Sequence, residues 1–173
     1  MAKIPAMDLP QSYIFDTNFI DAVISGEIDT EAVDAFRRRI NGTYFITHVQ
    51  VDEMNRTPDE EKRAQMFLRA LKLKFEIEPT SSFIIGYSRI EEGEIGEDDG
   101  LYERLMGENI RHVEDAMIGE TAIKNGMTLV TGDIRLYKAV KREGGQVIYN
   151  TGFAEMVKRV VGMDILGEGG QTE

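Results

Sequence analysis

The chain has 173 residues, with 20 lysines and arginines against 31 aspartates and glutamates, a formal net charge of −11 at pH 7, and no cysteine. Its average field repels phosphate, which excludes a general nucleic-acid coat protein, and the lack of thiols excludes disulfides and thiolate metal sites. A composition 42% hydrophobic and 29% charged fits one soluble globular domain, and no apolar run approaches the roughly 18 residues that a membrane span needs.

The opening residues, "MAKIPAMDLPQS", lack the apolar core of an export signal, so a cytoplasmic protein is expected. "YIF", residues 13–15, is aromatic and β-branched and reads as a strand that stops at Asp16. "TNFIDAVISG" reads as a short helix ended by Gly26. In "DTEAVDAFRRRI", Asp29 and Thr30 are candidate caps, and Val33, Phe36, Arg37 and Ile40 recur at helical spacing until Asn41-Gly42 stops the run. "TYFIT", residues 43–47, is the second strand, and "HVQVDEMNR" leaves it as a helical turn. Thr57-Pro58 opens a longer helix, "PDEEKRAQMFLRALKLK", with its proline in the first turn and acids near its start.

"FEIEP" is a third strand; "SSFIIGYSRI" fits either a strand or a buried helix, and "EEGEIGEDDG" reads as an exposed acidic loop. Helices follow over 101–106 and 112–124, the second ended by Asn125-Gly126. "MTLVT" is a fourth strand stopped by Gly132-Asp133, then come the helix "IRLYKAVKRE", Gly144-Gly145, a fifth strand "QVIY" and a last helix "TGFAEMVKRVV". The pattern gives one domain over 12–161, a short arm at 1–11 and a frayed tail at 162–173. Strands that alternate with helices and lack polar alternation imply the α/β class, with a mainly parallel sheet of about five strands covered on both faces.

In such sheets, ligands gather outside the carboxyl ends of the strands. Asp16 ends the first strand, Asp133 follows the fourth just past Thr131, Glu53 lies a turn or two beyond the second, and Asp115 falls in the first turns of "HVEDAMIGETAI". Each acid has an ordinary reading: Asp16 as a helix cap, Asp133 as a turn residue, Glu53 as a solvated helix residue like Asp52 and Glu60, and Asp115 as a helix-dipole acid with Glu114 as its rival. Converging, they need a cation. Two like charges about 4 Å apart repel by roughly 4 kcal/mol at an effective dielectric near 20, enough to force protonation unless an ion neutralises them. Oxygen ligands without cysteine select a hard divalent ion, Mg²⁺ or Mn²⁺, whose chemistry is phosphodiester hydrolysis.

Four stretches in order, "YIFDTNFI", "FITHVQVDEM", "HVEDAMIGETAI" and "TLVTGDIRLYKAV", resemble the PIN-domain nucleases, which include the toxins of VapBC-type toxin–antitoxin pairs. The resemblance implies an α/β/α sandwich, Mg²⁺- or Mn²⁺-dependent endoribonuclease activity on RNA, and, for a toxin, an antitoxin partner and a homodimer. It carries the family's acids onto Asp16, Glu53, Asp115 and Asp133, and makes Asn18 and Thr131 the residues that orient carboxylates. The chain departs from the family pattern after Asp133, where Ile134 and Arg135 stand in place of a second acid and an aromatic.

Arg135, Lys138 and Arg142 recur at i, i+3 and i+7, as either a phosphate-facing stripe or an ordinary solvated face. Arg37 to Arg39 point different ways. His48 and His112 read as structural or substrate-edge residues, Met66, Leu68 and Leu71 as core or a partner groove, and Glu97, Asp98 and Asp99 as solvated loop acids. No phosphate-binding loop and no G-x-S-x-G elbow is present. A non-cleaving RNA-binding module of the same fold, in RNA processing or ribosome assembly, is the alternative to an enzyme; a phosphatase-like α/β domain fits least, because "DTN" offers no nucleophilic acid pair.

Overall fold

Tyr13, Ile14 and Phe15 form the heart of β1 (Ser12–Phe15), and all three are fully buried. A strand buried on both faces sits mid-sheet beneath helices on each side. In the computed structural model, which describes residues 9–82, 84, 99–107 and 113–167, β1 is the central strand of a five-stranded sheet. Its neighbours are β2 (Thr43–Ile46) and β4 (Thr128–Thr131), with β3 (Glu76–Ile77) and β5 (Val147–Tyr149) at the edges, in the order β3-β2-β1-β4-β5. Every pairing is parallel.

Alternation along the strands divides the core. Tyr13, Phe15 and Val130 face a cluster shared with α1 (Thr17–Ile24), α2 (Thr30–Ile40), α4 (Glu60–Leu73) and α8 (Asn150–Gly167). Ile14 and Leu129 face the other side, against α5 (Leu101–Met106), α6 (Val113–Lys124) and α7 (Ile134–Arg142). Between them, α3 (His48–Arg56) gives Met54 to the first cluster and Val49 to the second. The result is the expected α/β/α sandwich of five parallel strands. Phe153 of α8 stands at the centre of the first cluster, with ring centroids 5.4–5.7 Å from Phe15, Phe19, Tyr13 and Phe36.

Several boundaries differ from the sequence reading for local reasons. The fourth helix begins at Glu60 rather than at Pro58, because Asp59 Oδ1 accepts from Lys62 N at 2.9 Å and so becomes the cap. Asp29, not Thr30, caps α2, accepting from Ala32 N at 2.8 Å. The segment after β2 is a helix of 9 residues, and α8 continues through Gly167 past the expected end at 161. β3 shrinks to two exposed edge residues. Met66 is buried as expected, but Leu68 and Leu71 are 56% and 75% exposed and do not serve the core. Apart from residues 81, 82, 84, 99 and 100, "SSFIIGYSRI" and "EEGEIGEDDG" lie outside the described residues, with Glu97 and Asp98; Asp99 is exposed and accepts from Leu101 N at 3.0 Å. No described helix is long and apolar enough to cross a membrane.

Candidate active site

Register places the site. Phe15 pairs with Val130, so β1 and β4 end side by side, and the chain leaves them at Asp16 and Thr131. Asp16 N donates to Val130 O at 3.0 Å, extending the ladder by one residue. The Asp16 side chain is 4% exposed, yet well supplied with donors: Thr17 N at 2.7 Å, Thr131 Oγ1 at 2.7 Å, and Asn18 Nδ2. Asp16 therefore caps α1 while its other oxygen is held by side chains from the end of β4 and the first turn of α1. Asn18 is fixed in turn, its Oδ1 accepting from Gly132 N at 2.6 Å and from Asn150 Nδ2 at 3.2 Å. A Cβ on Gly132 would stand 2.8 Å from Asn150 Nδ2 and 3.0 Å from Asn18 Oδ1, so a side chain there would push these amides away from the turn.

Glu53 arrives from α3, whose start is pinned to the end of β1. Gln50 accepts from Thr47 N at 2.8 Å in a capping box, and its Nε2 donates to Phe15 O at 2.8 Å. One turn on, Glu53 Oε2 accepts a hydrogen bond from Thr17 Oγ1 at the start of α1. Asp115, in the first turn of α6, accepts from Arg135 Nη2 of α7. Its neighbour Glu114 accepts from Arg56 Nη1 at 2.7 Å.

Burial pushes the Asp16 carboxyl up to about 6, with the Asp115 charge adding to the shift and the hydrogen bonds from Thr131, Thr17 and Asn18 opposing it. Glu53 is pushed up to about 8, by burial first and then by the charges of Asp16, Glu114 and Asp115, against the Thr17 hydroxyl. Asp16, Glu53, Glu114 and Asp115 thus share one negative field.

Asp133 stands apart in role. Its carboxylate turns into α7 as the N-cap, accepting from Arg135 N at 2.7 Å and Leu136 N at 2.8 Å. It joins the others through Thr131, whose Oγ1 accepts from Asp133 N at 3.0 Å while donating to Asp16. Of the basic stripe, Arg135 reaches Asp115, Lys138 is exposed, and Arg142 is tied to Glu143 at 3.0 Å and to the carbonyl of Arg104 at 2.7 Å. His48 is fully buried under the start of α3 and not at a substrate edge; His112 lies outside the described residues. Beyond Asn18 opens a groove of about 640 Å³, lined by Asn18, Asp21, Lys62, Gly132, Tyr149 and Asn150. Thr17, Gln50 and Asn150 were not singled out from the sequence as site residues; the Thr47-x-x-Gln50 spacing of the capping box was the one readable signal among them.

Among the described residues, no three acids or histidines are grouped tightly enough to hold an ion in this conformation, since Thr17, Arg135 and α7 each draw one acid away. The donor chemistry nonetheless fits a divalent ion: carboxylates only, one buried and one half-buried and both held above their ordinary range, with like charges around them.

These shifts set a pH dependence for the metal-free protein. A carboxyl raised on folding contributes stability that is whole below its unfolded value and is lost as pH rises through the folded one. For Asp16 that loss runs from its ordinary value of 3.8 up to about 6, and for Glu53 from 4.5 up to about 8. Urea unfolding with chelator present is expected to show wild type losing on the order of 2 kcal/mol relative to Asp16→Asn as pH rises from about 4 to about 6. A difference that stays flat, or grows in favour of wild type, contradicts it.

A family model described as the PIN domain matches residues 13–142. Among solved structures, the fold is similar to a domain of a functionally unknown protein from Methanocaldococcus jannaschii DSM 2661, at 17% identity over 80% of this chain and 90% of that one, with a TM-score of 0.43. It is also similar to VapBC2 from Rickettsia felis, solved bound to a DNA fragment from their promoter, at 17% identity over 79% of this chain and 97% of that one, with a TM-score of 0.48. No curated protein matches.

Proposed function

From the membership of this chain in the PIN domain family, we propose that it is a Mg²⁺- or Mn²⁺-dependent endoribonuclease that hydrolyses RNA phosphodiester bonds in the cytoplasm. The observation that carries the reading is the pair of carboxylates, Asp16 buried and Glu53 half-buried, held in one negative field at the carboxyl edge of the sheet. Asp16, Glu53 and Asp115 would hold the ion, with Asp133 on the same edge. A bound ion supplies charge neutralisation and polarisation of the scissile phosphodiester.

The chain's own groups do the positioning. Thr131 and Asn18 fix the Asp16 carboxylate from β4 and α1, and Thr17 fixes Glu53, so neither acid must be ordered when an ion or substrate arrives. Lys138 is exposed on α7 as a phosphate contact, with Arg135 and Arg142 on the same helix. The groove beyond Asn18 has room for a nucleotide, and Asn18 links its wall to the Asp16 carboxylate. Within this reading the chain is the toxin of a toxin–antitoxin pair, with an antitoxin protein as partner and a homodimer as its assembly.

The expected result is cleavage of total RNA that needs Mn²⁺ or Mg²⁺ and is abolished by chelator. RNA left intact at millimolar Mn²⁺ by correctly folded protein overturns the reading. A second reading, a non-cleaving RNA-binding module, is favoured by Arg135, which already neutralises Asp115. Calorimetry that detects RNA binding but no Mn²⁺ or Mg²⁺ binding selects it.

A further inference from the structure

The helix that follows β4 carries a cation into the acids. Arg135 is the second residue of α7; its backbone N–H is held by the Asp133 carboxylate at 2.7 Å, and its guanidinium crosses to Asp115 on α6. Within the shared negative field, arginines already answer two of the acids, Arg56 on Glu114 and Arg135 on Asp115, while Asp16 and Glu53 are met by hydroxyl, amide and backbone groups. The uneven balance matters, because Asp115 is the acid that lends its charge to both Asp16 and Glu53.

We propose that Arg135 is an internal cation lodged on Asp115, and that a divalent ion entering the acidic edge must displace it. The proposal rests on the reading of Asp16, Glu53 and Asp115 as the ion-holding residues. Two positive groups cannot share one carboxylate in a confined field without repelling each other, so guanidinium and ion alternate. Displacement is feasible because the pair lies at the surface of the site. The Arg135 and Asp115 side chains are 35% and 25% exposed, so the guanidinium can swing into water and toward a phosphate of a bound strand. By contrast, Lys124 is paired at 2.7 Å to Glu120, whose side chain is only 2% exposed, and a carboxylate so buried cannot lose its cation cheaply. The Asp133 cap keeps the Arg135 backbone in place throughout, so only the side chain moves.

The test measures Mn²⁺ binding to the full chain by calorimetry, without RNA, for wild type, Arg135→Gln and Lys158→Gln. Lys158 is exposed on α8 and removes the same charge away from the acids. Arg135→Gln is expected to bind Mn²⁺ roughly three- to tenfold more tightly than wild type, and to gain more thermal stability from added Mn²⁺, while Lys158→Gln stays within about twofold of wild type. Equal tightening in both variants, which would mark a general field effect, overturns the proposal. So does unchanged or weaker binding in Arg135→Gln, which leaves the metal reading standing if wild type still binds. No Mn²⁺ binding by any of the three overturns the metal reading and this proposal together, whereas binding by Arg135→Gln alone supports both.

Discussion

Asp16→Asn is expected to lower Mn²⁺-dependent RNA cleavage by at least about 100-fold, since removing groups that merely support a metal ligand already costs about 10–100-fold. The substitution keeps size and capping ability, and asparagine caps helices as well as aspartate. What it changes is one oxygen. Thr17 N and Asn18 Nδ2 both donate to the Asp16 carboxylate, and Thr131 Oγ1 adds a third hydrogen bond. An amide nitrogen in either position faces at least one of these donors. Thr131 can turn its hydroxyl to accept, but Asn18 cannot flip freely, because its Oδ1 already accepts from Gly132 N. The clash costs about 1 kcal/mol and is offset by removing a charge from a desolvated place, so the melting temperature should stay within a few degrees of wild type at neutral pH. Circular dichroism checks the fold, calorimetry the metal, and a cleavage assay the rate; undiminished cleavage by a folded variant sinks the assignment of Asp16.

The largest effect on stability is expected at Phe153. Its ring is fully buried and lies edge-on to Tyr13, Phe15, Phe19, Phe36 and Tyr44, rings drawn from two strands and two helices. Phe153→Ala removes the shared partner of all of them and leaves a hole that rigid aromatic neighbours fill poorly. A cost of about 3–5 kcal/mol is expected, which for a domain of this size lowers the melting temperature by roughly 10 °C. The site should suffer with it, since Phe15 rests on Phe153 and is the residue before Asp16. Thermal unfolding checks the prediction; a loss below about 1 kcal/mol would mean that the cluster collapses onto the gap.

What the sequence disclosed, and what it withheld, follows from range. The strands were readable because "YIF" and the "LV" of "TLVT" are short apolar runs flanked by β-branched residues and turn signals, and the helix ends because Asn41-Gly42 and Asn125-Gly126 break locally. Asp16 and Asp133 stand where strands end, Asp115 in the first turn of α6 and Glu53 a turn into α3, positions readable from the sequence alone. The partner of each acid was not readable there. That Thr17 serves Glu53, that Asn150 steadies Asn18, and that Arg135 reaches Asp115 all depend on contacts across 36, 132 and 20 positions. Helical spacing put Arg135, Lys138 and Arg142 on one face, yet spacing does not say that Asp115 and Glu143 stand there to receive two of them. Leu68 and Leu71 were read by hydrophobicity alone, which does not fix the direction in which α4 presents them.

The strand order carries one more consequence, for synthesis. β1 is made first but lies between β2 and β4, and the Asp16 carboxylate takes a hydrogen bond from Thr131, 115 residues later in the chain. The ribosome therefore releases the first acid long before the strand that orders it exists. Until β4 docks, Asp16 lacks the strand beside it and the Thr131 hydroxyl that holds its carboxylate. The assembled acidic edge is thus a property of the finished domain alone, withheld from the nascent chain by topology and by the closure of so long a loop.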